Sequence, residues 1–99
     1  MTTLTIDIDQ RLIDEHGERV DQCFACPCFA WLEEHGLDPA YVCYSYAALE
    51  DGRELIFPDE FEKWQKRGSD AVEAEVDPRT VLVPITFETR LTREEAGDL

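Results

Sequence analysis

From residue 3 the chain alternates polar and apolar positions as Thr3-Leu4-Thr5-Ile6-Asp7-Ile8. This period-two pattern predicts a half-buried strand with Leu4, Ile6 and Ile8 on one face. Asp9 follows as an N-cap, with Ile8 and Ile13 placed as a hydrophobic staple and Gly17 as a stop, which predicts a short helix over 10–16. Pro27 suits the first position of a second helix, where a missing N–H does no harm, and Gly36 suits its end. That helix, over 27–35, carries Cys28, Trp31, Leu32 and His35 on one apolar face.

Tyr41 to Ala47 is aromatic and β-branched, and Asp51-Gly52 separates it from Glu54-Leu55-Ile56-Phe57 as a hairpin turn. Pro58-Asp59-Glu60 opens a third helix over 59–67, with acids early, Lys63, Lys66 and Arg67 late, and Gly68 as its stop. Ser69 to Pro78 has the weakest pattern and reads as a mobile loop or a single helical turn. Val81, Val83, Ile85 and Phe87 then alternate with Leu82, Pro84, Thr86 and Glu88. This predicts a final strand that Pro84 confines to a sheet edge or a bulge.

The elements assemble into one α+β domain over residues 1–91, in the order β-α-α-β-β-α-β. Its antiparallel sheet has about four strands, near 3–8, 41–48, 53–57 and 80–89, and the first strand is expected to pair with the last. Residues 92–99 read as a charged, frayed tail. The competing architecture is a metal-nucleated ribbon with little sheet.

Composition alters this picture through charge. Nine Lys and Arg stand against 23 Asp and Glu, a formal net charge of -14 over 99 residues. Binding to nucleic acid through phosphate neutralisation is disfavoured, because it needs a basic patch. No run of ~18 apolar residues could span a membrane as a helix, and MTTLTIDID lacks the features of a secretory signal. The expected location is the cytoplasm, that of the host cell if the gene is carried by a phage. With 43% hydrophobic residues the chain is a folded domain rather than an acidic disordered tail. Self-repulsion among the excess charges opposes compaction and calls for salt, a metal, homo-oligomerisation or a cationic partner.

Cys23, Cys26 and Cys28 form C-x2-C-P-C, and Cys43 follows fifteen residues later. Zinc would need four Cys or His ligands at about 2.0 to 2.3 Å, a count that Cys23, Cys26, Cys43 and either Cys28 or His35 could meet. Alternatively, Cys26 at a helix N-cap with Cys23 upstream is placed for thiol redox chemistry or a Cys23–Cys26 disulfide. A third reading makes all four reduced, mostly buried thiols, Cys28 and Cys43 in the core, with Cys23 and Cys26 the pair expected to meet. No phosphate-binding loop, dinucleotide turn or zinc-protease helix is present. His16 and His35 each precede a glycine at a helix end, as partners of the helix dipole. A non-enzymatic protein is expected.

The acids themselves have three possible meanings: a halophilic or GC-driven coding bias, a solvated face, or imitation of the phosphate array of DNA for a nucleic-acid-binding protein. On the third, the partner-binding residues are Glu50, Asp51 and Glu54 with Asp59, Glu60 and Glu62, because the hairpin tip and the next helix start are neighbours in the chain and expected neighbours in space.

The stretch from TLTIDID through DQCFACPCFAWLEEHG resembles the first half of small proteins encoded by bacteriophages and plasmids of high-GC bacteria, in which a strand and a short helix lead into a C-x2-C-P-x-A helix. The resemblance rests on Cys23, Cys26, Pro27 and Ala30 and covers about a third of the chain, while Cys28 and Trp31 depart from the small aliphatic residues of that group. The group has no assigned activity to carry over. What the resemblance implies is a mobile-element accessory protein that inhibits a basic host nucleic-acid-handling or defence protein, in the manner of anti-CRISPR proteins or DNA mimics. The alternative is a small zinc or thiol protein working through Cys23, Cys26, Cys28 and Cys43.

Overall fold

The computed structural model describes residues 2–92. The tail expected at 92–99 lies outside the described residues except for Thr92, which ends a strand.

Five strands make one antiparallel sheet: β1 (Thr2–Ile8), β2 (Pro39–Val42), β3 (Tyr46–Leu49), β4 (Glu54–Ile56) and β5 (Ile85–Thr92), in the order β1-β5-β4-β3-β2. Three helices, α1 (Gln10–His16), α2 (Pro27–Glu34) and α3 (Asp59–Glu73), pack on one face. The expected α+β class holds, and β1 pairs with β5 as expected, in register from Thr2↔Leu91 to Ile8↔Ile85. One strand more is present than expected. The run over 41–48 folds back at Cys43, Tyr44 and Ser45, where the Cys43 N–H donates to the Tyr46 carbonyl at 2.8 Å.

The alternation in β1 and β5 works as a register device. Ile6 and Ile8 are fully buried, Phe87 nearly so, and their neighbours Thr5, Asp7, Thr86 and Glu88 are exposed on the bare face of the sheet. A slip of one residue would exchange the two sets. Phe57, Phe61 and Phe87 cluster beneath α3, with Phe61 and Phe87 ring centroids 4.7 Å apart. Buried Trp64 satisfies its indole N–H on the Val83 carbonyl at 2.7 Å. Pro84 lies just before β5 rather than inside it. The last strand therefore starts later than expected and is interior, between β1 and β4, so the expected edge placement is overturned.

Asp9 caps α1 by accepting from the Leu12 N–H at 3.0 Å. Helix α2 ends on a Schellman turn: Gly36 has φ of +77°, its N–H reaches the Glu33 carbonyl and the Leu37 N–H reaches Leu32. His35 does not share the buried face of α2. It is exposed, stacked on Trp31 at 3.8 Å, with Nδ1 donating to the Trp31 carbonyl.

The third helix departs most from expectation. It does not stop at Gly68 but runs six residues past Arg67, through the segment read as a loop. Gly68 is buried, because Val20 and Leu82 press on that side of the helix and leave no space for a Cβ. The helix closes on Glu75 in a second Schellman turn, with the Glu75 N–H on Val72 and the Val76 N–H on Ala71. Glu75 holds φ of +59° there, a conformation usually taken by glycine.

Candidate functional site

The loop over 21–25 is tied to the end of β2, where the Val42 N–H donates to the Cys23 carbonyl at 2.9 Å. This sets Cys43, the next residue, beside Cys23. Cys23 is exposed and Cys43 half-buried. They border a cleft of about 250 Å³ together with Asp21, Val42, Tyr44 and Gln65. Burial pushes the Cys43 thiol up, and the neighbouring Cys23 adds to the shift. Gln65 is only 2% exposed, and its Oε1 has no hydrogen-bond partner in the protein. Its carboxamide meets the Cys26 thiol.

Cys26 is the N-cap of α2, as expected from Pro27. Its thiol is nevertheless pushed up to about 11, because burial outweighs the pull of the Phe29 and Cys28 amides at the helix start. The expectation of an activated thiolate at this cap is therefore overturned: desolvation disfavours the charged form more than the helix end favours it. Cys28 is fully buried and shifted upward for the same reason. Cys23 has Cys26, the partner expected for it, as one neighbour and Cys43 as another, because Val42 at the end of β2 is tied to the Cys23 carbonyl.

Among the described residues no three His, Cys, Asp or Glu side chains converge on a common point. Cys28 is enclosed in the core, and His35 sits at the opposite end of α2 from Cys26, roughly 13 Å away at about 1.5 Å per helical residue.

The six acids named above do not form one patch. The ladder between Leu49 N–H and Arg53 carbonyl at one end and Phe57 N–H and Ser45 carbonyl at the other holds the hairpin tip and the start of α3 apart by roughly 13 Å of strand. Glu50 gathers with Glu33 and Asp38 around a hollow beside Pro39, its N–H donating to the Asp38 carbonyl at 2.7 Å. Asp51 turns onto Arg53 at 2.7 Å. Glu54 points to the bare face of the sheet beside Thr92. Glu60 meets Glu88 across a hollow lined also by Thr5 and Thr86, with Asp7 alongside on the Thr86 hydroxyl at 2.9 Å. Asp59 and Glu62 are exposed in the first turn of α3. Glu33, Asp38, Asp7 and Glu88 thus join the picture through folding alone; only the outward period of β1 and β5 hinted at the last two.

Five basic side chains on this surface stay partly exposed but sit beside an acid. Arg11, Arg19, Arg53, Lys66 and Arg79 each lie within salt-bridge distance of a carboxylate. Such exposed pairs add little stability, but they leave the surplus of acid unopposed outside. No helix among the described residues is long and apolar enough to cross a membrane. The chain matches no protein-family model, no curated protein and no solved structure.

Proposed function

We propose that this chain is a small, non-enzymatic interaction protein of a mobile element that binds the basic surface of a host nucleic-acid-handling or defence protein and keeps nucleic acid from it. The observation that carries this reading is the disposition of charge. Five basic side chains are engaged by neighbouring carboxylates, while Glu60, Glu88, Asp7 and the acids around Glu50 are spread over outer surfaces of a rigid sheet. A net charge of -14 favours fast, salt-sensitive encounter with a cationic surface. The contact includes two carboxylate groups, Glu50 with Asp51 and Glu54, and Asp59 with Glu60 and Glu62.

The test is capture from a lysate of a high-GC bacterium at low and high salt, followed by purification of the retained protein and competition with duplex DNA. The expected result is a basic partner lost at high salt, lost when the six acids are neutralised, and unable to hold this chain and DNA together. A purified partner that holds both at once overturns the reading.

A second reading, a thiol protein, is supported by one observation: Cys23, Cys43 and Gln65, whose buried Oε1 has no protein partner, line a single cleft. If Cys23→Ser abolishes capture while acid neutralisation leaves it unchanged, this reading replaces the first.

A further inference from the structure

The two edges of the sheet are finished differently. At β2 the edge is short, begins with Pro39, which has no N–H to offer, and is closed where the Val42 N–H meets the Cys23 carbonyl. Natural sheets blunt their edges in this way to prevent unwanted pairing. At β1 the edge is seven residues long and has no such closure among the described residues.

The direction of its free groups follows from one hydrogen bond. The Thr89 hydroxyl donates to the Leu4 carbonyl at 2.9 Å, so Leu4 turns its backbone polar groups toward β5. In an antiparallel ladder the N–H and C=O of one residue point the same way and those of the next point oppositely. Ile6 and Ile8 therefore also bond β5, and Thr3, Thr5 and Asp7 present their N–H and C=O groups outward. Along this row runs a groove of about 470 Å³, overhung by α1 and α2, with Leu4 and Trp31 in its wall and His35 stacked on Trp31. Asp7, Asp9 and Glu34 supply its charge. The one cation there, Arg11, is bidentate on Glu34 at 2.6 and 3.0 Å.

We propose that the free edge of β1 receives an extended segment of the partner as a sixth strand, with lysine or arginine side chains alternating with apolar ones. This rests on the reading that the partner is cationic, and it adds the mode of binding. Backbone hydrogen bonds to Thr3, Thr5 and Asp7 give the strand its register, and the alternate side chains divide between the acids and the wall formed by Leu4 and Trp31. A second copy of this chain is the wrong occupant, since each would bring a charge of -14 and its own Asp7 and Asp9 to the shared edge.

The probe is an acetylated peptide of alternating lysine and valine, compared with the same peptide N-methylated at every second residue. Methylation keeps charge and side chains but removes the donors of one peptide edge. With isotope-labelled full chain at low salt, the unmethylated peptide is expected to slow amide exchange at Thr3, Thr5 and Asp7 at least tenfold while Leu4, Ile6 and Ile8 stay as they were. The methylated peptide is expected to bind at least tenfold more weakly. Thr5→Pro, which removes an outward N–H and no hydrogen bond to β5, is expected to fold, because proline is tolerated on an edge strand, and to lose the peptide.

Equal binding of both peptides, with shifts confined to the acids of the hairpin and α3, overturns the edge proposal and leaves the cationic-partner reading standing. Binding of neither peptide at low salt overturns both. Protection of the three outward amides that rises with protein concentration in the absence of peptide identifies a second copy as occupant and overturns the proposal.

Discussion

Replacing Gly68 by alanine separates two uses of a buried helical glycine. In an unobstructed helix interior, Gly→Ala gains about 1 kcal/mol of helix propensity. Here the added Cβ would lie 2.7 and 2.9 Å from the two Val20 γ-carbons and 3.3 Å from Leu82 Cδ2. Rotating Val20 about χ1 still leaves at least one methyl against the new Cβ, and a fully buried valine has little choice of rotamer. The backbones of α3 and the turn after Gly17–Arg19 must separate instead, and overpacking of this kind costs about 1 to 3 kcal/mol. The net expectation for Gly68→Ala is a loss of up to about 2 kcal/mol. At roughly 4 to 8 °C per kcal/mol for a domain this small, thermal unfolding followed by circular dichroism resolves it. With Val20→Ala in the background only the end of the flexible Leu82 side chain, at 3.3 Å, is left to give way, and Gly68→Ala should then stabilise by up to about 1 kcal/mol. The effect changes sign, so the two positions couple strongly in a double-mutant cycle. If Gly68→Ala raises the melting temperature of the native protein, or if the two changes simply add, Gly68 is not where it is because of Val20.

Glu75→Gly should stabilise by roughly 0.5 to 1 kcal/mol, since Glu75 holds φ of +59° and glycine takes that conformation without steric penalty; a lower melting temperature would refute this. Treatment with glutathione disulfide under native conditions should produce a Cys23–Cys43 crosslink, each crosslink reducing one oxidant to two thiols, and peptide mapping that finds Cys23 joined to Cys26 instead would count against the geometry. The Glu34 carboxyl lies below the usual carboxylate range, held there first by the Arg11 hydrogen bond, so its folded-state pKa is depressed. Its contribution to stability is present above the unfolded value and is lost as pH falls through the folded one. In Arg11→Ala the Glu34 resonance should titrate nearer the ordinary range, and an unchanged midpoint would refute the pairing.

How much of this could be read in the sequence depended on whether a local pattern and a tertiary demand agreed. Leu4, Ile6 and Ile8 alternate because one face of β1 meets helices and the other water, and that strand and its partner were legible. Gly36 marks the end of α2 because the turn there requires positive φ. Gly68 carries the same letter for another reason, close approach of Val20, while the real end of α3 rests on a glutamate with no glycine to signal it. The spacing of Phe61, Trp64, Gly68, Ala71 and Val72 was the sign that the helix continues. At the candidate site, C-x2-C suggested that Cys23 would meet Cys26, but whether Cys43 arrives depends on a reversal at residues 43–45 that no turn glycine announces. Gln65 could not be picked out, because a glutamine on a charged helix reads as solvated. The acids were legible as a surplus and not as a surface, since their neighbours lie across strands.

The pairing of β1 with β5 also bears on how the chain must be made. Every rung of that ladder joins residues at least 77 positions apart. At a synthesis rate of about 5 to 20 residues per second, Ile8 waits roughly 4 to 15 s on the ribosome before Ile85 exists. Until then β1 has two bare edges, and Leu4, Ile6 and Ile8 have no strand beside them. Closing contacts over so long a loop is slow, and α1 and α2, seven and eight residues long, are too short to hold without the sheet they cover. A chain that stops before residue 85 loses β5 and, with it, the strand neighbour of β1. Such a fragment exposes two apolar strips, and insolubility rather than a weakened fold is its expected fate.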